Sequence, residues 1–172
     1  MPATKMLNPN TTIWVVPEGG VVNPDAPTAA ELNAGTNISC AIVRGYTLNP
    51  TSSDTDNSAS ICDTGNVTNR LYDNYEGTLT MFREGDATAN ATSIYEVAFQ
   101  LFKDPDNRVW VYRRLGKRND VPAAAGDTVE GFLFSNDRIT SVDGGDNGPI
   151  QFTVPLLAQG HYTGYVDVAA GA

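Results

Sequence analysis

Residues 75–83 read Tyr-Glu-Gly-Thr-Leu-Thr-Met-Phe-Arg, which places Tyr75, Leu79 and Met81 on one side of an extended chain and Glu76, Thr78 and Thr80 on the other. A repeat of two is the period of a β-strand, whose successive side chains point to opposite faces. Such a segment buries one face and leaves the other polar, and it needs neighbouring strands to satisfy its backbone. Runs rich in β-branched and aromatic residues recur at Thr11–Val16, Asn37–Val43, Ser58–Asp63, Arg108–Arg114, Thr128–Asn136, Ile150–Val154 and His161–Val168. Gly, Pro, Asn and Asp clusters separate them, including Pro17–Pro27, Thr64–Asn74, Leu115–Gly126 and Asp143–Gly148. That pattern predicts strands joined by turns.

One segment keeps a different period. Ile94, Val97, Ala98, Leu101 and Phe102 recur at helical spacing, with Ser93 or Thr92 as a cap and Pro105 as a stop. Its polar side, Glu96, Gln100 and Lys103, predicts a helix lying on the outside of a sheet with that side toward solvent. Ala29–Asn33 allows a single helical turn before Gly35. Seven or eight strands with one helix make the expected fold mainly β, an antiparallel β-sandwich or half-barrel with one flanking α-helix. The expected organisation is an N-terminal arm over residues 1–10, one β-rich domain over 11–168, and a flexible tail over 169–172. An exposed loop near residues 44–74 includes the polar stretch Asn49–Asn57.

The residues that carry chemistry are sparse. His161 is the only histidine, and it falls in a predicted strand. No nucleophile elbow and no phosphate-binding loop is present, and neither Gly19-Gly20 nor Gly144-Gly145 opens a helix. Asp104 and Asp106 flank a proline as turn residues do. Asp143, Asp146 and Asn147 fall short of a calcium loop because the closing glutamate is missing. Cys40 and Cys62 have no zinc-ligand spacing and are expected as reduced, buried thiols. The reading is a protein without catalysis, cofactor or metal. Neither a signal-type apolar run in Met1–Leu7 nor an apolar stretch of membrane-spanning length occurs, which points to a protein made in a cytoplasm.

Twenty acidic against eleven basic residues give a net charge of −9. Such a surface does not bind nucleic acid tightly, because affinity there comes from Lys and Arg neutralising phosphates. The one basic cluster, Arg113, Arg114, Lys117 and Arg118, is the candidate for contacts between subunits. The low charged fraction of 18% also suits a surface that meets protein.

Three features resemble the major tail (tail tube) proteins of long-tailed siphophages. They are the order of strands, long polar loop, further strands, helix and remaining strands; the stretch from Cys62-Asp63 to Tyr75-Glu76-Gly77-Thr78-Leu79-Thr80-Met81-Phe82-Arg83; and Val109-Trp110-Val111-Tyr112-Arg113-Arg114-Leu115-Gly116 followed by Ala123-Ala124-Ala125-Gly126-Asp127-Thr128-Val129. The resemblance covers roughly residues 35–168. It implies a structural virion subunit, assembled in the host cytoplasm, that forms hexameric rings. These stack into a tail tube through which genomic DNA leaves without being tightly bound. Its implied partners are further copies of itself, a tape measure protein, and tail terminator and distal tail proteins. On that reading Glu76, Thr78, Thr80, Thr163 and Asp167 are the expected lumen-facing residues, and the helix covers the outside. The alternative is a monomeric β-sandwich binding module, either a virion decoration or a carbohydrate-binding domain, with Trp14, Trp110 and Tyr112 exposed as a stacking platform.

Overall fold

A computed structural model describes residues 10–62, 64–65, 68–143 and 148–171. The arm over residues 1–9 and most of the turn Asp143–Gly148, with its calcium-like Asp146 and Asn147, lie outside the described residues. Strands β1 (Thr11–Pro17), β2 (Thr36–Asn37), β3 (Thr47–Pro50), β6 (Tyr75–Phe82), β7 (Arg108–Leu115), β8 (Thr128–Asn136), β9 (Thr140–Val142) and β10 (Gln151–Asp167) form one antiparallel sheet. Its order is β2-β1-β7-β8-β10-β6-β3, with β9 also paired to β10. Strands β4 (Asp54–Asp56) and β5 (Asn69–Tyr72) form a separate two-stranded ribbon. The helices are α1 (Ala29–Ala34) and α2 (Ile94–Phe102). The fold is mainly β with a flanking helix, as the alternation predicts.

The sheet buries apolar residues on both faces. On one face Ile13, Val15, Val109, Val111, Phe132, Phe134, Leu79, Met81, Phe152 and Val154 pack beneath Ala98 and Phe102 of α2. On the other, Trp14, Val16, Trp110, Tyr112, Val129 and Leu133 pack against Leu32 of α1, Ala123 and Val168. This explains why Arg108–Leu115 and Thr128–Asn136 read as nearly continuous apolar runs: strands covered on both sides lose the polar half of the alternation. Helix α1 is fixed by a capping box, in which Glu31 donates its backbone N–H to the Thr28 hydroxyl while the Glu31 carboxylate accepts the Thr28 N–H at 2.7 Å.

Asn37–Val43 is not the predicted strand. The Asn37 side chain accepts the Ser39 backbone N–H at 3.1 Å and the Ser39 hydroxyl at 2.6 Å, so β2 stops after two residues. The chain then turns, with Ala41 N–H donating to the Ile38 carbonyl at 2.9 Å. Ile38 is tied to Ile13 at the β1 edge, and Ala41 and Val43 are tied to Phe82 and Thr80 of β6. One turn therefore laces the two sides of the sheet together, and the sheet curls into a half-barrel around the larger core.

Three further expectations change. The predicted strand Ser58–Asp63 is irregular over its described residues, while the polar stretches Asn49–Asn57 and Thr64–Asn74 contain the end of β3 and the whole of β4 and β5. The two predicted final strands are one strand, β10, because Gly160 and Gly164 take positive φ (77° and 67°) as bulges within it. The polar side of α2 is not wholly solvated. Glu96 is buried, and its carboxylate accepts bonds from Arg83 and from Gln100 at 2.6 Å.

Candidate assembly surfaces

Backbone pairing sets where a neighbour can join. Strand β10 pairs with β6 through residues 151–156 and with β8 through 156–158, 162 and 165–167. Beyond Leu156, the side of β10 that faces away from β8 has no strand partner among the described residues. This open length carries Leu157, 47% exposed, and Tyr165, 68% exposed. The Tyr75 hydroxyl accepts the backbone N–H groups of Gln159 and His161 at 2.9 and 3.1 Å, so the first bulge is satisfied from inside. Strand β9 is exposed along all three residues and, among the described residues, pairs only with β10. Unpaired strand edges are adhesive because their backbone donors and acceptors are free to pair with another chain.

Register also assigns the expected lumen residues to faces. Glu76, Thr78 and Thr80 alternate with the buried Tyr75, Gly77, Leu79 and Met81, and so lie on the face opposite α2. The hydroxyls of Thr80 and its cross-strand partner Thr153 meet there at 2.9 Å. Thr163 lies on the same face, where its hydroxyl accepts the Gly131 N–H at 2.9 Å. Asp167 alternates with Val166 and Val168, which pack on that face, so it points to the other. There it sits opposite Thr128 and accepts that hydroxyl at 3.0 Å.

The basic cluster divides differently from what the sequence suggests. Arg114 is 1% exposed and makes an ion pair with Asp127 at 2.7 Å. Lys117 holds the second oxygen of the same carboxylate. Arg113 donates to Glu130 from Nε at 2.8 Å, and Tyr162 donates its hydroxyl to the other oxygen of Glu130 at 3.2 Å. All four predicted intersubunit cations therefore have an acidic partner within the subunit. The Arg114 guanidinium lies over the Trp14 ring and that of Arg113 over the Phe132 ring, and a guanidinium buried this way needs its counter-charge. Arg118 is the most exposed of the four and is paired with the exposed Asp120 at 3.1 Å, and Lys117 is half exposed.

Little here suits chemistry. His161 approaches Asp25 at 3.2 Å and meets the Trp110 ring edge-on at 5.0 Å, so it ties the loop after β1 to β10. Among the described residues no group of three His, Cys, Asp or Glu is arranged to hold a metal. Cys40 and Cys62 are free and exposed, which corrects the expectation of buried thiols. Trp14, Trp110 and Tyr112 are core residues, so the stacking platform of the binding-module reading is not on the surface. No helix among the described residues is long and apolar enough to cross a membrane.

A profile of the phage tail tube protein family matches residues 1–171. The chain belongs to that family. It is a structural component of a phage tail, and the tail tube subunit resembles in fold a chain of another assembly. That chain comes from the cryo-EM structure of the anti-feeding prophage baseplate, 6-fold symmetrised, and the match covers 99% of the tail tube subunit and 100% of that chain. The TM-score is 0.51 and the identity 12%, so the likeness is one of fold. No curated protein matches the sequence.

Proposed function

We propose that the subunit closes into rings of six by pairing the open edge of β10 with an exposed strand of the next copy, and that the rings stack into the tube through which genomic DNA leaves. The observation that carries this reading is the unpaired length of β10 beyond Leu156. A head-to-tail contact that uses different edges on the two partners closes into a ring when its rotation allows, and rings that stack extend the tube. Six copies is the reading because the structurally similar chain belongs to an assembly described as 6-fold symmetrised. The lumen is lined by the face opposite α2, with Glu76, Thr78, Thr80 and Thr163, while α2 covers the outside. An acidic and hydroxyl-bearing wall gives DNA no cation to hold it. The tape measure protein occupies the lumen before ejection, and terminator and distal tail proteins cap the ends.

The test is electron microscopy of the purified chain beside the variant Leu157→Lys/Tyr165→Lys. Both side chains are exposed, so the folded subunit is expected to keep its stability within about 0.5 kcal/mol, whereas lysines on a strand edge oppose edge pairing. Rings or tubes from the parent and none from the variant are expected. Tubes of undiminished yield from the variant would sink the edge-pairing mechanism, and a cryo-EM map placing Glu76 and Thr78 away from the lumen would sink the assignment of that face.

A further inference from the structure

The β4–β5 ribbon is poorly explained by the subunit alone. Two paired strands by themselves are marginal in water, yet the side chains along β5 are all exposed, including Leu71 and Tyr72. Between the strands, Ile61 is fully exposed beside Cys62. Residues 51–74 carry four aspartates against one arginine.

Elsewhere on the molecule, a cavity of about 230 Å³ opens beside the β1 edge, lined by Ile13, Ile42, Tyr46, Cys40 and Arg44. A cavity of roughly 150 Å³ with apolar walls suffices for a benzene ring, so this one admits a branched aliphatic side chain. Cys40 is exposed there, its sulfur accepting a bond from the Asn119 amide at 2.9 Å. Arg44 makes no ion pair among the described residues.

We infer that this cavity receives Ile61 from the β4–β5 ribbon of a second copy, with Arg44 meeting the acidic ribbon and Cys62 coming to rest beside Cys40. The ribbon and the cavity lie on different parts of the chain, so the contact is head-to-tail. Each copy offers one ribbon and one cavity, and the contact propagates from copy to copy. The inference deepens the assembly reading above and rests on it.

The two native cysteines report on the contact without engineering. A disulfide requires Cα atoms within about 7 Å. The assembled protein is treated with diamide, which takes up the two electrons and two protons released as two thiols join, and is run on a non-reducing gel. The expected result is a ladder of dimers, trimers and higher species, which disappears in both Cys40→Ser and Cys62→Ser. Ile61→Lys is expected to lower the ladder by about tenfold or more, because an ammonium enters a partly apolar cavity beside the Arg44 guanidinium only at a cost. Its circular dichroism should match the parent, since the Ile61 side chain is fully exposed. A ladder that survives in either serine variant, an Ile61→Lys ladder equal to the parent's, or no cross-link in a sample that forms tubes overturns the inference. In the last case microscopy of the same sample shows that the tube reading still stands. A sample that forms neither rings nor tubes nor a ladder overturns both.

Discussion

Arg114 offers the sharpest quantitative test of how this subunit holds its shape. Its Nη1 donates to the Pro122 carbonyl at 3.0 Å and to Asp127 at 2.7 Å, while Nη2 donates to Thr12, to the Arg118 carbonyl and to the Val121 carbonyl at 3.1, 3.1 and 2.6 Å. Nε has no hydrogen-bond partner, and the guanidinium carbon lies 4.9 Å from the centre of the Trp14 ring. One side chain thus gathers three carbonyls of the linker after β7 and fixes them to β1 and to the start of β8. Asp127→Ala leaves that cation buried without its counter-charge, which costs about 3–5 kcal/mol. A domain of this kind has about 5–15 kcal/mol in total, and each kcal/mol shifts the melting temperature of a chain this long by about 2–4 °C. The variant should therefore fold and melt roughly 6–20 °C lower, as measured by urea and thermal denaturation at neutral pH. Arg114→Met/Asp127→Ala removes both charges and should lose clearly less than the sum of the two single changes, because neither charge is then stranded. A loss below about 1 kcal/mol for Asp127→Ala, or strict additivity in the double variant, would refute the account. Acid gives an independent check. Burial pushes the Asp127 carboxyl pKa up, but bonds from Lys117, Arg114 and the Ala124 N–H outweigh it and hold the group below its ordinary range. A lowered folded pKa means that the stabilisation is present above the unfolded value of about 3.9 and is lost as pH falls through the folded one. Asp127→Ala should lack that part of the acid transition.

Two further outcomes follow from single positions. A Cβ at Gly131 would lie 2.5 Å from Cε1 of the buried Tyr112, so Gly131→Ala should destabilise by about 1–3 kcal/mol, whereas Gly19→Ala, with open space around it, should stay within about 0.5 kcal/mol by the same denaturation assay. Burial, with the nearby Glu130 charge, pushes the Tyr162 phenol up to about 12. Its folded pKa exceeds the unfolded value of about 10, so its contribution is complete below that pH and disappears as pH rises toward the folded value. Ultraviolet titration should show a late phenolate that ionises earlier in Glu130→Gln.

What the sequence made legible was whatever depends on local period and punctuation. Tyr75–Phe82 alternates because only one of its faces is buried, and Ile94–Phe102 repeats at helical spacing between a serine cap and a proline stop. The errors arise where pairing or side-chain bonding overrules local preference. Asn37 and Ser39 bond to each other and turn an apolar segment away from strand geometry. The polar residues of β4 and β5 carry no strand signal, and only their mutual pairing makes them strands. The predicted strand Ile150–Val154 stops short of Pro155, yet that proline is accommodated in β10 where β8 has ended and β9 has not begun, so no ladder bond is lost on that side. The basic cluster was visible as composition, but that Asp127 and Glu130 neutralise it within the subunit depends on neighbours that spacing alone does not reveal. The open edge of β10 was hidden because Ile150–Val154 and His161–Val168 read as separate strands, whereas Gly160 and Gly164 form bulges within one.

The length of β10 has a mechanical consequence. Seventeen residues of strand run for roughly 50 Å, and this one strand is bonded in turn to β6, β9 and β8. A pull along its axis loads many cross-strand bonds in parallel, as shear, rather than one at a time, as in peeling. The residues at its two bulges lie outside the regular ladder and can lengthen first. A subunit built this way resists axial tension along most of the strand and yields locally at two glycines, so stretch is absorbed at Gly160 and Gly164 before the sheet separates.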